Sequence, residues 1–211
     1  MKKTLGLFLL LTLLSLQSCL QVANEVKNWT EVSPNDEVFG TYQTLENDAI
    51  KVYLPKEFKR YSASKYQQLL DSLATKEAYE FEIKRLKSLR EMKGDFYIFF
   101  DTTTHSTYTI NTVPFMPIRK RDAQYLLSII KQNQAKISAN SNLKFTRQSA
   151  KYNEGSGPQI FNVVHKIEDT NTQIVSYNSS YIMSHNDKTV FINLTTPFEV
   201  AFDPYLHKMI L

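Results

Sequence analysis

Few residues in this chain of 211 are of a type that performs chemistry, and most of them stand apart. The four histidines are His105, His165, His185 and His207. Asp101 precedes His105 by four positions in a polar segment, and an Asp and a His at one turn could bind a metal ion or relay a proton. No HExxH or other close pair of histidines occurs in the sequence, which predicts no metal site and no cofactor.

Nucleophilic catalysis has equally little support. Ser184 and His185 are adjacent, but neighbouring side chains on a strand point to opposite faces, so they cannot act as nucleophile and base. The GxSxG sequence of a nucleophile elbow does not occur. A pair of carboxylates brought together from distant positions, as in a hydrolase that cleaves glycosides, stays open as a remote alternative. The sequence therefore predicts a protein that is not an enzyme and has no catalytic residues.

Charge and glycine content argue against nucleotide and nucleic-acid binding. The formal charge is +4, only five glycines occur, and no GxGxxG or GxxxxGK[ST] loop is present to hold a phosphate. The sharpest basic cluster is Arg119–Arg121, at the start of a predicted helix. It is either a solvated helix end or a contact for an anionic partner, and the first interpretation is favoured. We expect no nucleic-acid partner.

The only cysteine, Cys19, ends an N-terminal targeting segment. A basic start and an apolar run over Leu5–Leu14 lead to the sequence LQSC at positions 16–19. Crossing a bilayer takes about 20 apolar residues, and this run is shorter, so no transmembrane helix is predicted. We predict a signal peptide over residues 1–18.

The sequence at positions 16–19 resembles the lipobox of bacterial lipoproteins, in which the chain is cut before the cysteine and the new terminus is acylated. By that resemblance Cys19 is the lipidation site, and two or three acyl chains form a durable membrane anchor. A plain signal peptide with an accidental cysteine is the alternative. By the same resemblance, the residue after the cysteine is Leu20 and not Asp, which favours transfer to the outer membrane. We therefore expect a lipid-anchored protein of the cell envelope, on the outer membrane.

Residues 19–36 show no hydrophobic period and end in a turn cluster, Ser33-Pro34-Asn35-Asp36, which is typical of a tether. A flexible segment of this length spans roughly 20 to 25 Å. The folded domain is predicted over residues 37–211, a length that allows one domain to bury a sizeable core.

Two helical segments are predicted within the domain. Apolar residues recur at i, i+3, i+4 and i+7 from Tyr66 to Leu73, and the helical stretch continues through charged residues, with a break near Thr75 as one option. An alternating run over residues 79–83 leaves a short strand there as a competing interpretation. The second helix is predicted over Asp122–Lys136.

Short β-rich runs make up most of the rest of the domain. One strand is predicted over Ala49–Leu54, and Phe96–Phe100 and Tyr108–Val113 are predicted to form a hairpin. Four further strands follow between residues 143 and 195, at a spacing that favours antiparallel pairing. The order predicts the α+β class, with an antiparallel sheet covered by helices. The predicted buried residues include Leu70, Leu73, Leu126, Ile130, Val164, Ile182, Val190 and Ile192.

Four stretches of this pattern carry a resemblance to a known family. They are Leu54–Phe58, Tyr181–Met183, Thr189–Asn193 and Phe202–Ile210. Over about residues 38–211 the chain resembles the PsbP-like domain, a family that includes the photosystem II extrinsic protein and DcrB-type bacterial lipoproteins. The resemblance implies an α/β/α sandwich that serves as a binding or assembly module in an extracytoplasmic space, without catalytic residues.

Two functions remain open at this point. The first is a non-catalytic accessory lipoprotein, bound to the membrane through Cys19, whose domain contacts an envelope protein. The second is a lipoprotein that captures a small ligand, or a toxin as an immunity protein does; the sequence does not identify the ligand. A deep apolar pocket would favour ligand capture, whereas an exposed flat apolar patch would favour docking.

Overall fold

The computed structural model describes residues 37–73, 76–153 and 157–211. The predicted signal peptide, Cys19 and the tether lie outside the described residues, so they stay predictions. Within the described ranges, no helix is both long enough and apolar enough to span a bilayer.

Seven strands of the described residues form one antiparallel sheet. They are β3 (Lys59–Tyr61), β4 (Phe96–Asp101), β5 (Ser106–Val113), β6 (Leu143–Asn153), β7 (Gln159–Asp169), β8 (Val175–His185) and β9 (Lys188–Thr196). Their order across the sheet is β3-β4-β5-β9-β8-β7-β6. The last four strands are the predicted meander, and β9 pairs with β5 to join the meander to the predicted hairpin. The predicted α+β class with an antiparallel sheet is confirmed.

A second hairpin, formed by β1 (Thr41–Leu45) and β2 (Ile50–Leu54), packs on one face of this sheet. The short helix α4 (Asp203–His207) packs beside it. The sequence predicted β2 from its alternating apolar residues but not β1, whose only buried residue is Leu45. A strand with one apolar contact lacks the period of two that sequence reasoning uses.

Three helices occupy the opposite face of the sheet among the described residues. They are α1 (Ala63–Leu73), α2 (Lys76–Arg90) and α3 (Lys120–Ala139). Helix α1 begins after Ser62, whose Oγ accepts a hydrogen bond of 3.3 Å from the backbone N of Lys65, as a capping serine does. Two helices on either side of residues 74–75 agree with the predicted break. The competing strand over residues 79–83 is wrong, because these residues lie inside α2.

The main core lies between the sheet and the β1–β2 hairpin. Alternate side chains of the central strands point into it, and Phe99, Ile110 and Ile192 are fully buried there. Of the predicted buried residues, Ile182, Val190 and Ile192 are confirmed, whereas Leu70, Leu126 and Ile130 are half-buried. The side chain of Leu73 lies outside the described ones. Val164 is half-buried, and its neighbour Val163 is the buried one because it faces α3.

Candidate functional site

The helix-bearing face of the sheet has a polar strip between two separate apolar clusters. In the first cluster, Tyr66 and Leu86 of α1 and α2 pack on Ile98 of β4. In the second, Ala123 of α3 packs on Phe161 of β7. The strands between these clusters, β5, β9 and β8, present polar side chains on this face. We call the strip the polar cleft.

The floor of the polar cleft is a chain of hydrogen bonds between β8 and β9. The hydroxyl of Ser180 donates to Asn193 Oδ1 at 2.7 Å and lies 3.0 Å from Asn178 Oδ1. Nδ2 of Asn178 in turn donates to the hydroxyl of Thr195 at 3.2 Å. All four side chains are only half-buried, although they stand in the middle of the sheet. The floor therefore offers uncharged donors and acceptors to a molecule in the cleft.

The wall of the cleft on the α1 and α2 side contains an ion pair. The hydroxyl of Tyr66 lies 2.7 Å from that of Thr107 on β5 and donates to Glu82 Oε1 at 3.2 Å. Glu82 also accepts from Arg85, with Nε at 2.6 Å from Oε2. Burial, and then the charge of Glu82, raises the pKa of Tyr66 far above its usual value, so its hydroxyl stays protonated. The charges of Glu82 and Arg85 cancel, and these two side chains and Tyr66 form the wall.

The wall on the α3 side contains His165 of β7, which pairs in register with Asn178 of β8. Its side chain is 5% exposed. Burial, and next the positive charge of Arg147, lowers the pKa of His165, so the imidazole is neutral at pH 7. A neutral imidazole could accept a proton, but no carboxylate among the described residues hydrogen-bonds to it.

The polar strip continues from Thr107 along β5 beneath α2. Nδ2 of Asn111 donates to the carbonyl of Leu89 at 2.8 Å. Asn111 Oδ1 and the hydroxyl of Thr109 have no hydrogen-bond partner among the described residues, and both are fully buried. A buried polar group without a partner costs about 1 to 3 kcal/mol of stability.

The described part of the chain contains no cluster of three or more His, Cys, Asp or Glu side chains that could hold a metal ion. Asp101 and His105, the pair in the sequence that could bind a metal, have structural roles. Asp101 accepts from the backbone N of Thr103 at 2.8 Å and from the hydroxyl of Thr104 at 2.6 Å. His105 closes the turn with a positive φ of 55° and stacks on Phe100.

The other residues singled out in the sequence also lie apart. Ser184 is buried and lies 3.2 Å from the hydroxyl of Thr189, whereas His185 is on the other face of β8, as the strand geometry predicts. His207 is exposed on α4. The basic cluster Arg119–Arg121 is exposed at the start of α3, next to the carboxylate of Asp122, and agrees with a solvated helix end.

A cavity of about 340 Å³ opens between α1, α2 and β4. Ile83, Leu86 and Ile98 line its apolar part, and the charged residues of its lining are Lys87, Arg90 and Glu91. This volume is at the lower end of the range for small-molecule sites, and the cavity is open to solvent on one side.

Sequence reasoning missed the polar cleft because its signal is ambiguous. Asn178 and Ser180, and likewise Asn193 and Thr195, alternate with apolar residues along their strands. This is the pattern of any strand with one face in water. The spacing of Glu82 and Arg85 is equally common on exposed helices. Only the pairing of β8 with β9 brings the four floor residues together at the centre of the sheet.

No family model matches the sequence, and no curated protein sequence matches it either. Eighteen chains of solved structures are similar to this one, and two of them are as follows. The Ran-binding protein Mog1p of Saccharomyces cerevisiae is 10% identical, with a TM-score of 0.44, and the match covers 77% of this chain and 79% of Mog1p. The cyanobacterial PsbP (CyanoP) of Synechocystis sp. PCC 6803 is 8% identical, with a TM-score of 0.50, and the match covers 85% of this chain and 99% of CyanoP.

This chain has a PsbP-like fold. The resemblance inferred from four short stretches is therefore confirmed at the level of the fold. The DcrB-type lipoprotein within that resemblance, and the membrane anchor, stay predictions. The PsbP-like sheet carries the polar cleft on its helix-bearing face and the β1–β2 hairpin on the other.

Proposed function

We propose that this chain is a lipid-anchored envelope protein of the DcrB type whose PsbP-like domain is a non-catalytic accessory module that binds an envelope protein through the polar cleft. The observation that supports it best is the half-buried floor of Asn178, Ser180, Asn193 and Thr195. Side chains of this kind match the backbone and polar side chains of a protein segment, and they supply hydrogen bonds without a charge requirement.

The chemistry of the cleft favours binding over catalysis. Ser180 donates its proton to the amide oxygen of Asn193, which is not a base. Glu82 is held by Arg85 and Tyr66, so its carboxylate is occupied. A nucleophile needs a base within hydrogen-bonding distance, and the described residues of the cleft do not provide that pair.

The proposed anchor is tested by Cys19→Ser. The variant should lose its acyl chains and move from the membrane pellet to the soluble fraction, because one cysteine carries the whole anchor. Incorporation of labelled palmitate and sedimentation of membranes measure this directly. Equal labelling and pelleting of wild type and Cys19→Ser would contradict the lipoprotein assignment.

The proposed contact surface is tested by the double variant Asn178→Ala/Thr195→Ala. It removes hydrogen-bonding groups from the cleft floor without adding bulk, and the loss of two hydrogen bonds should weaken partner binding roughly tenfold or more. The measurement is the amount of the envelope protein that co-purifies with the full-length lipidated protein from solubilised membranes. It is followed as the concentration of the envelope protein is varied.

The matched control for the cleft is Lys131→Ala/Gln132→Ala, on the exposed side of α3. The control and His105→Ala should bind as wild type does, since neither touches the cleft. Equal binding by the cleft variant would contradict the assignment of the surface. Loss of function in His105→Ala with unchanged stability would contradict the non-catalytic proposal.

Capture of a small ligand is the second candidate function, and the cavity between α1, α2 and β4 is the observation that favours it. Apolar Ile83, Leu86 and Ile98 beside the charged Lys87, Arg90 and Glu91 would suit an amphiphile. The cleft is preferred because the cavity is small and open, whereas the cleft runs across three strands.

A further inference from the structure

A group of aromatic, aliphatic and basic side chains covers the outer side of the β1–β2 hairpin. Phe39 is 72% exposed, Tyr42 50% and Ile210 49%. Lys51 is exposed beside them, and Tyr53 is half-buried. We call these five residues the hairpin patch. Large apolar side chains this exposed and this close together usually mark a contact surface.

Strand pairing makes four residues of the hairpin patch neighbours, and Phe39 precedes one of them, Tyr42, by three positions. Tyr42 and Tyr53 are cross-strand partners whose ring centroids lie 4.9 Å apart. Lys51 is two positions from Tyr53 on the same outward side of β2. The backbones of Lys51 and Ile210 exchange two hydrogen bonds of 2.9 Å, which places Ile210 at the edge of the patch.

The chain enters the described domain through this patch, at a fixed point. The carbonyl of Val38 accepts hydrogen bonds from Lys208 Nζ at 2.9 Å and from the hydroxyl of Tyr53 at 3.4 Å. The side chain of Val38 is buried. A Cβ on Gly40 would lie 2.4 Å from the carbonyl oxygen of Leu54, so the backbone passes directly against β2. The described part of the chain therefore begins at the patch, two residues before Phe39.

We propose that the hairpin patch lies on the surface of the lipid bilayer that holds the anchor. This inference rests on the proposed lipidation of Cys19. The tether that the sequence predicts over residues 19–36 would span only roughly 20 to 25 Å, and the described domain begins at the patch. Tyrosine rings and lysines are favoured at the headgroup level of a membrane, with the apolar body inward and the polar end in water.

With the proposed lipid anchor, even a weak affinity of the hairpin patch for the bilayer is sufficient to hold the domain on the surface. The predicted tether would keep the domain at an effective concentration in the millimolar range near the bilayer, so a surface affinity of that order would already populate the contact. Phe39, Tyr42 and Ile210 provide the apolar area, and Lys51 adds attraction to anionic headgroups.

This orientation has a consequence for the polar cleft. The hairpin packs on one face of the sheet, and the cleft is on the other. A domain that rests on the hairpin patch therefore holds the cleft away from the bilayer, open to a partner protein in the aqueous space.

The test places one tryptophan in the full-length lipidated protein. Trp29→Phe removes the only natural tryptophan, and Phe39→Trp adds a single reporter to the hairpin patch. The matched control carries Trp29→Phe and Tyr125→Trp, because Tyr125 is 69% exposed on α3, on the far side of the sheet. Both proteins are reconstituted in vesicles of phosphatidylethanolamine and phosphatidylglycerol, with and without brominated acyl chains.

The tryptophan at position 39 should show a blue-shifted emission and be quenched by brominated lipid several times more strongly than the one at position 125. A vesicle-bound protein with equal emission and equal quenching at the two positions would overturn the inference and leave the anchor intact. A protein that fails to sediment with the vesicles would overturn the anchor and the inference together. Circular dichroism checks that both variants fold as the parent does.

Discussion

Phe99→Ala is expected to lower the free energy of unfolding by about 3 to 5 kcal/mol. The ring of Phe99 is fully buried between the sheet and the β1–β2 hairpin, and its centroid lies 6.1 Å from that of Tyr108 in an edge-on contact. Truncation removes this apolar surface from the core and leaves a cavity that the sheet cannot close, because β4 is held by β3 and β5 on both sides. Domains are stable by only about 5 to 15 kcal/mol, so this loss is a large share.

Urea unfolding followed by circular dichroism measures the effect, and Phe115→Ala is its matched control. Phe115 is the same residue type but 48% exposed, in the segment after β5. Its truncation should change the stability by less than about 0.5 kcal/mol, as at other exposed positions. Equal effects of the two substitutions would mean that the core has been assigned to the wrong face of β4.

Strands whose signals lie in the local sequence could be predicted. The four-strand meander was predictable because its β-rich runs are separated by turn residues. The hairpin of β4 and β5 was predictable from its aromatic and β-branched residues on either side of Asp101-Thr102-Thr103-Thr104-His105. These elements contain their own signals in the local sequence, and that is why they could be found.

Elements that depend on distant partners could not be found. Strand β1 gains its stability from pairing with β2 and from a single buried leucine, Leu45, and neither produces a local pattern. The same cause explains why Val163 is buried in place of the predicted Val164. Both are valines on one strand, and only the position of α3 decides which of them is covered.

The polar cleft depends on long-range pairing even more strongly. Thr107, Ser180 and Asn193 come from three strands that are separated in sequence and adjacent in the sheet through β5-β9-β8. Thr107 receives its contact from Tyr66, which is 41 positions away. Residue types that are common on exposed strands become a candidate binding surface only because the two helical clusters of the described residues leave the middle of the sheet half-buried.

Arg85→Met is expected to destabilise the protein more than the double variant Glu82→Leu/Arg85→Met does. The two side chains are 19% and 17% exposed and joined by hydrogen bonds of 2.5 and 2.6 Å. Removing the guanidinium leaves the carboxylate of Glu82 largely desolvated with only the hydroxyl of Tyr66 as a donor. Breaking a fully buried pair costs about 3 to 5 kcal/mol, and the residual exposure here reduces the expected cost to about 2 to 4 kcal/mol.

The double variant removes both charges and fills the space with apolar side chains of similar length. It should cost less than about 1.5 kcal/mol, because no uncompensated charge remains and Tyr66 keeps its 2.7 Å contact with Thr107. The wild type, the single variants Arg85→Met and Glu82→Leu, and the double variant form a double-mutant cycle of four free energies of unfolding. A double variant that loses as much as the sum of the two single ones would show that the charges act independently.

The same cycle separates stability from binding at the polar cleft. If the ion pair only supports the wall, the double variant should bind the envelope partner about as tightly as the wild type does, with its stability restored. If the partner contacts the pair itself, binding should fall in the double variant although the fold is stable. Lys84→Ala, on the exposed side of α2, is the control that changes a charge on the same helix outside the pair, and it should leave both stability and binding as in the wild type.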